Sequence, residues 1–295
     1  MTAPATPEPA RSLWADAWRR LAKNRMAVIC GALFVAICVF SFLGPYLAAW
    51  LAGLDPISQD PSLGATPPSW RHWMGTDTLG RDMMVRTMDG GRIAILVGLV
   101  ATAVALVIGV SWGAVAAYVG GKVDELMMRI VDVLYAFPVV VFVIVIMTVL
   151  DNRSLYLLFA LIGGVSWLNM ARIVRGQVLS LRHREFVEAA RAIGVPGRRI
   201  LFRHIVPNTL GPIIVYTTLS IPSVMLTEAF LSFLGIGVQA PQASWGTLVT
   251  EGVTQIAVSP WVLIGPGLLM GMTIFALNFL GDGLRDALDP HMRTH

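Results

Sequence analysis

Residues 172–208 combine charged and apolar side chains in a pattern typical of a binding surface rather than of a reaction centre. The following residues recur at helical spacing and predict one apolar helix face: Phe186, Val187, Ala189, Ala190 and Ile193. The opposite face is expected to carry Glu185, Glu188 and Arg191. Gly194 is expected to end this helix, and Pro196-Gly197 to form a turn before a second short helix, 198–205, that ends near Pro207. The pattern indicates a rigid surface that binds either a soluble partner or anionic lipid.

The side chains able to catalyse a reaction or hold a cofactor fall into no catalytic pattern. The histidines, at positions 72, 183, 204, 291 and 295, share no metal-ligand spacing, so we expect no metal site. The stretch Gly120-Gly121-Lys122-Val123 lacks the first glycine and the Ser or Thr of a phosphate-binding loop. No Ser, His and Asp stand in a recognisable nucleophile motif. We therefore expect no catalytic residue and no cofactor bound by this chain.

The composition indicates that the solvent of this chain is a lipid bilayer. Of its 295 residues, 56% are hydrophobic and 14% are charged, whereas an average soluble domain has about a quarter charged residues. The basic residues lie between apolar runs rather than on one soluble face, which argues against nucleic-acid binding. Cys30 and Cys38 lie about 12 Å apart along one predicted helix and cannot form a disulfide with each other.

Six apolar stretches approach the roughly 20 residues that a helix needs to cross the hydrocarbon layer. We predict spans near 26–48, 93–118, 133–150, 155–175, 209–235 and 260–282. The third and fourth spans are separated only by residues 151–154, which predicts a tight hairpin. The fold class is therefore all-α, a polytopic membrane protein with about six transmembrane helices.

The basic residues predict the orientation of these spans. With both termini cytoplasmic, 17 of the 22 Lys and Arg residues lie on the cytoplasmic side, in agreement with the positive-inside rule. The predicted division is a cytoplasmic tail 1–25, a first span 26–48, an external loop 49–91, a transmembrane domain 92–286 with a cytoplasmic loop 176–208, and a cytoplasmic tail 287–295. The external loop is rich in Pro and Gly, so we expect an ordered but irregular segment.

Glu228 is the only acidic residue well inside a predicted span, which makes it a candidate functional group. If the span begins at Thr209, the helical rise places Glu228 some 28 Å across the bilayer, close to the outer surface. We therefore expect a structural or gating role at the outer mouth. Direct contact with a substrate and a proton relay are the alternatives.

Spacing alone leaves two interpretations of the loop 176–208. It either receives motion from a soluble partner or lies on anionic lipid as an amphipathic helix pair. The ordered set Glu188, Ala189, Ala190, Gly194, Ile205 and Pro207 resembles the EAA loop of ABC importer permeases, with Val206 where Leu is common. The resemblance favours the mechanical joint and implies the type I ABC importer permease fold.

A second stretch resembles the signature that precedes the second span in the dipeptide, oligopeptide and nickel branch of these permeases. It comprises Gly75, Thr76, Asp77, Gly80, Arg81, Asp82, Arg86, Gly90 and Arg92. Val85 replaces the Ser that usually precedes the Arg. Residues 227–237, 241–246 and 278–290 are similar to further elements of the branch. The resemblance covers nearly the whole chain beyond residue 20 and identifies a C-type member of a B/C permease pair among binding-protein-dependent transport system inner membrane components.

The resemblance implies that this chain is a subunit of a bacterial inner-membrane importer for di- or oligopeptides. Its partners would be a B-type permease, two cytoplasmic ATPase subunits that bind ATP-Mg, an extracytoplasmic peptide-binding protein and the bilayer. Nickel chelate and glutathione stay open as cargo. An ion-coupled secondary transporter is a rival class, as is a membrane-embedded enzyme or assembly factor, but the chain shows neither inverted repeats nor a charged site near the midplane.

Overall fold

The computed structural model describes residues 13–151 and 154–288, and the regular structure within these ranges is helical. The predicted tail residues 1–12 and 289–295, and two residues of the predicted hairpin at 152–153, lie outside this description. The elements are α1 (Leu13–Lys23), α2 (Arg25–Ala52), α3 (Met83–Val119), α4 (Gly121–Tyr135), α5 (Val139–Val149), α6 (Leu155–Leu181), α7 (Glu185–Ala192), α8 (Gly197–Arg199), a π-helical turn (Ile200–Ile205), α9 (Val206–Asn208), α10 (Leu210–Phe233), α11 (Trp245–Thr254) and α12 (Trp261–Leu288).

Five of the described helices, α2, α3, α6, α10 and α12, are long and apolar enough to cross a membrane, and α4 with α5 can make a sixth crossing. This confirms the all-α polytopic prediction. The third span predicted over 133–150 is not one straight helix, because α4 ends at Tyr135, α5 begins at Val139 and the two meet at an angle of 78°. Pro138 lies at the break, where it lacks an amide donor and disfavours helical geometry in the preceding residue.

Other helix ends also differ from the prediction. α2 continues to Ala52 and α3 begins at Met83, so the irregular part of the predicted external loop comprises only residues 53–82, called the external segment below. α12 continues to Leu288, six residues beyond the predicted end of the last span. Three shorter helices were not predicted, namely α1, α4 and α11. Below, the end of the molecule that carries the external segment is called the outer end, and the opposite end the inner end.

The centre of the fold is the close pairing of α3 with α6. Small residues recur every fourth position along α3, at Ala101, Ala105, Gly109, Gly113 and Ala117. A Cβ added at Gly113 would overlap the backbone carbonyl oxygen of Ala171 on α6. Such stripes of small residues let two membrane helices approach backbone to backbone. The pair is therefore a suitable rigid support for the segment that follows α6.

Candidate functional site

The segment from Arg182 to Thr209, here called the inner segment, is packed onto the inner ends of α3 and α6. Its buried residues join one hydrophobic cluster with both helices: Val187, Ala190, Ile200, Leu201 and Ile205 from the inner segment, Ala114 and Ala117 from α3, and Met170, Val174 and Val178 from α6. The Arg182 guanidinium also donates to the Ala117 carbonyl oxygen at 2.8 Å. The inner segment is thus packed into the fold and is not a flexible connection.

The structure corrects the single apolar face predicted for α7. Val187 and Ala190 are buried, but Phe186 and Ile193 are 41% and 80% exposed, and Ala189 is exposed as well. One side of the helix lies in the hydrophobic cluster that also contains residues of α3 and α6, and a second apolar strip faces outward. Glu188 lies beside this strip, and among the described residues no cation pairs with its carboxylate. The exposed side of α7 therefore offers small, apolar and acidic groups together.

Gly194 ends α7 as predicted, in a left-handed conformation with φ of +78°. The Gly194 amide donates to the Arg191 carbonyl and the Val195 amide to the Ala190 carbonyl, each at 3.0 Å. These two bonds make a Schellman motif, which satisfies carbonyls left free at a helix end. A Cβ at Gly194 would meet no atom within 4 Å. The requirement for glycine at this position is therefore one of backbone conformation.

The second predicted helix, 198–205, is present but has a different form. α8 leads into the π-helical turn Ile200–Ile205 and then α9, so the helical stretch continues through Pro207 and ends at Asn208, one residue beyond the predicted end. Ile205 is fully buried, whereas Pro207 is exposed. The structure places the six residues of the predicted EAA-like set on one compact knob, with Ala190 and Ile205 inside it and the other four on its surface.

At the outer end, the predicted signature residues meet around Asp77. This carboxylate is fully buried and accepts from Arg81 Nε at 2.7 Å and from Arg86 Nη1 at 2.6 Å. Asp82 caps α3 by accepting from the Val85 amide at 2.9 Å, and its other oxygen contacts His72 Nδ1 at 2.8 Å. Paired and hydrogen-bonded charges are the form in which ionic groups are tolerated inside proteins. These residues, Asp77, Arg81, Asp82 and Arg86 with His72, are called the outer brace below. They connect the external segment to the start of α3 by ionic contacts.

The signature glycines mark close backbone approaches. Gly75 has φ of +73°, and a Cβ there would lie 2.6 Å from the Thr66 carbonyl oxygen. Gly80, with φ of +72°, lies against the Asp60 backbone, and the Ser62 hydroxyl donates to the Asp60 carboxylate and lowers the pKa of Asp60 from its usual range. The irregular external segment is thus ordered by its own hydrogen bonds.

The last two signature residues lie one to two turns further along α3. A Cβ at Gly90 would lie 3.0 Å from the Leu248 side chain of α11. Arg92 pairs with Asp89 at 2.6 Å and donates to the Tyr46 hydroxyl of α2 at 3.3 Å. Gly90 therefore belongs to the contact with α11, and Arg92 to a separate contact with α2.

Sequence reasoning missed Glu251, which completes this brace. Glu251 lies on α11 and accepts from Arg86 Nη1 at 2.8 Å and Arg86 Nη2 at 3.2 Å. The two residues are 165 positions apart, and α11 itself was not predicted. The available signal was an acidic residue in a connection predicted to lie on the same side of the membrane as the signature arginines. It did not identify a partner.

Glu228 is buried on α10, with 1% of its surface exposed. Its Oε1 accepts from the Ser232 hydroxyl at 2.7 Å and from the Ser244 hydroxyl at 2.6 Å. Ser244 is also the N-cap of α11, where it forms a capping box with Thr247. Glu228 thus fastens α10 to the start of α11 and does not meet the inner segment. No group of His, Cys, Asp and Glu able to hold a metal ion occurs among the described residues.

Comparisons with known proteins agree with this architecture. Residues 105–294 match the family profile described as binding-protein-dependent transport system inner membrane component, and residues 12–68 match the N-terminal TM domain of oligopeptide transport permease C. The chain is 46% identical to the oligopeptide transport system permease protein of Haemophilus influenzae, over 96% of this chain and 90% of the relative. It is 44% identical to the oligopeptide transport system permease protein of Bacillus subtilis, over 96% of this chain and 91% of the relative.

A glutathione transport system permease protein of Pectobacterium atrosepticum is 35% identical over 96% of this chain and 93% of the relative. The likeness to all three relatives thus extends over the membrane helices, the inner segment and the outer brace alike. On the family profile and on these full-length relatives, the chain belongs to the binding-protein-dependent transport system inner membrane components.

Proposed function

We propose that this chain is a permease subunit of an ATP-driven importer that carries di- or oligopeptides across the inner membrane. The observation that carries the proposal is the two-sided inner segment. Its buried side shares one hydrophobic cluster with α3 and α6, while its exposed side carries Glu188, Ala189 and Ile193. A partner that grips the exposed side would move both long helices directly.

The peptide cargo rests on the functions named for the oligopeptide relatives. Glutathione is the second candidate, favoured by the more distant glutathione relative, and a nickel chelate is a third. We further propose the partners expected for such a subunit: a B-type permease, two cytoplasmic ATPase subunits that bind ATP-Mg, and an extracytoplasmic peptide-binding protein. In this arrangement both termini and the inner segment lie on the cytoplasmic side.

We propose that the outer brace and Glu228 close the outer mouth. Glu228 supports this role because it joins α10 to α11 in a buried position, where loss of its carboxylate leaves two serine hydroxyls without their acceptor. If Glu228 gates the mouth, the variant Glu228→Ala will let a small hydrophilic dye leak through the resting complex in proteoliposomes. A dye-tight Glu228→Ala complex would refute the gating role.

Uptake into cells that lack this chain tests the proposed function. Re-expression should restore accumulation of a radiolabelled tripeptide, and the accumulation should stop on ATP depletion but persist when an ionophore collapses the ion gradients. Parallel assays with labelled glutathione and with nickel determine the cargo. Uptake that stops with the ionophore while ATP is maintained would point to a secondary transporter instead.

A further inference from the structure

Glu251 connects α11 to the outer brace and has no place in the signature identified from sequence. We propose that Glu251 is a positioning residue that holds α11 against the outer end of α3 through Arg86, and that this ionic contact is the one released when the outer mouth opens. The inference rests on the proposed function, because it assigns the contact a part in the transport cycle.

The two carboxylates that share Arg86 have unequal surroundings. Asp77 is fully buried and, besides the two guanidinium groups, accepts from the backbone amides of Leu79 at 2.8 Å and Arg81 at 3.0 Å. Glu251 accepts from Arg86, with Arg81 Nη2 further away at 3.8 Å, and its side chain is 36% exposed. Asp77 is thus held from four directions, and Glu251 essentially from one.

This asymmetry decides which contact can open. If Arg86 separates from Asp77, the fully buried carboxylate loses one of the two cations that balance its negative charge. An unbalanced charge is costly in a low-dielectric interior. If Arg86 separates from Glu251, the arginine keeps Asp77, and Glu251 stays in a surface cleft of about 230 Å³ that it already lines together with Arg81 and Arg86. The cleft is lined by polar groups that include Gln239, Thr247 and Thr250. Glu251 is therefore the partner that can leave at low cost.

Two neutral hydrogen bonds lie close to this ionic pair. Trp245 Nε1 at the start of α11 donates to the Thr87 carbonyl at 2.8 Å, and Trp261 Nε1 at the start of α12 donates to the Thr76 carbonyl at 3.0 Å. Gly252, next to Glu251, lies against the backbone of Leu263 on α12. Glu251 is thus placed where α11 and α12 together meet α3. Within the described ranges, its pair with Arg86 is the ionic contact that joins α11 to α3.

The test is ATP hydrolysis by the complete transporter, purified with its ATPase subunits and reconstituted without any binding protein. If the pair stabilises the closed outer mouth, Glu251→Gln shifts the population toward the open state and raises this unstimulated hydrolysis by about threefold or more. Glu251→Asp, which keeps the charge on a shorter side chain, should lie between Glu251→Gln and the wild type. Asp55→Asn removes an exposed external carboxylate and serves as the charge-matched control, with no expected change.

The outcomes separate the inference from the proposed function. Unchanged or reduced hydrolysis by an intact Glu251→Gln complex would overturn the positioning role, because a structural contact alone would not accelerate the resting cycle. Failure of both Glu251 variants to assemble would also overturn it and make the contact a folding determinant. If the wild-type chain purifies without any ATPase, the proposed function itself fails, and the positioning role with it.

Discussion

Arg175 on α6 holds Asp124 on α4 through two parallel hydrogen bonds, of 2.6 Å from Nε to Oδ1 and 2.8 Å from Nη2 to Oδ2. One turn earlier on α6, Arg172 binds Asp132 at 2.7 Å and lies 4.2 Å from the centre of the Tyr135 ring. Because α6 leads into the inner segment, these pairs attach α4 to the helix that would receive motion there. The bend between α4 and α5 then lies next to α6, the helix that would move.

We expect Asp124→Asn to weaken this attachment and to lower transport several-fold. The loss of a bidentate charged pair costs about 1–2 kcal/mol, less than for a fully buried pair because Arg175 is 36% exposed. Thermal unfolding of the purified chain and peptide uptake measure the two effects. The control is Glu125→Gln, since Glu125 and Arg129 are 3.7 Å apart and both more than 70% exposed. Equal effects of the two variants would contradict the argument.

Gly194→Ala should reduce transport, and Gly194→Val should abolish it, while both proteins still insert in the membrane. The left-handed conformation costs about 1–2 kcal/mol for an L-residue and more for a β-branched one. Uptake and membrane fractionation are the measurements. Gly176→Ala is the matched control, because Gly176 also has no neighbour within 4 Å of an added Cβ but lies in an ordinary helix. Full activity of Gly194→Val would refute the need for this turn.

Glu188→Lys is expected to abolish transport without loss of the chain from the membrane. The carboxylate has no described cationic partner within this chain, so reversal of its charge would disturb a contact outside the chain and leave the fold intact. Uptake and the amount of membrane-inserted protein distinguish these effects. The same change at Glu125, exposed on α4, should be tolerated. Normal uptake by Glu188→Lys would remove the residue from the coupling surface.

Gly113→Ala should destabilise the pairing of α3 with α6. The added methyl group would overlap the Ala171 carbonyl, and overpacking of this kind costs about 1–3 kcal/mol. Gly164→Ala on α6 adds the same group where no atom lies within 4 Å. We expect a lower unfolding temperature in detergent for the first variant and no decrease for the second. A tolerated Gly113→Ala would show that the two helices can separate without loss of the fold.

The long helices and the turn at Gly194 could be predicted because their causes are local. Apolar length determines a span, and glycine followed by Val195-Pro196 favours a helix end. The two sides of α7 could not be predicted. Helical spacing places Phe186, Ala189 and Ile193 near Val187 and Ala190. It does not reveal which of these side chains are buried against the rest of the protein.

The outer brace was beyond prediction for a different reason. Arg86 and Glu251 meet only through the packing of α11 against α3, and no local pattern in the sequence encodes that contact. α11 has only ten residues between two long spans, so apolar length does not reveal it. The break at Pro138 had a signal in the proline itself, but the apolar run around it does not indicate how sharp the bend is.

Photo-crosslinking from the exposed side of α7 tests the central claim most directly. A benzoylphenylalanine in place of Ile193, which is 80% exposed, should form an adduct with a cytoplasmic ATPase subunit in native membranes. The same group in place of Val187, which is fully buried in the hydrophobic cluster of the inner segment, should form no such adduct. An adduct with the ATPase subunit at Ile193 is the predicted result. Crosslinks from Ile193 to lipid alone would contradict the account, because the segment would then be a membrane anchor rather than a mechanical joint.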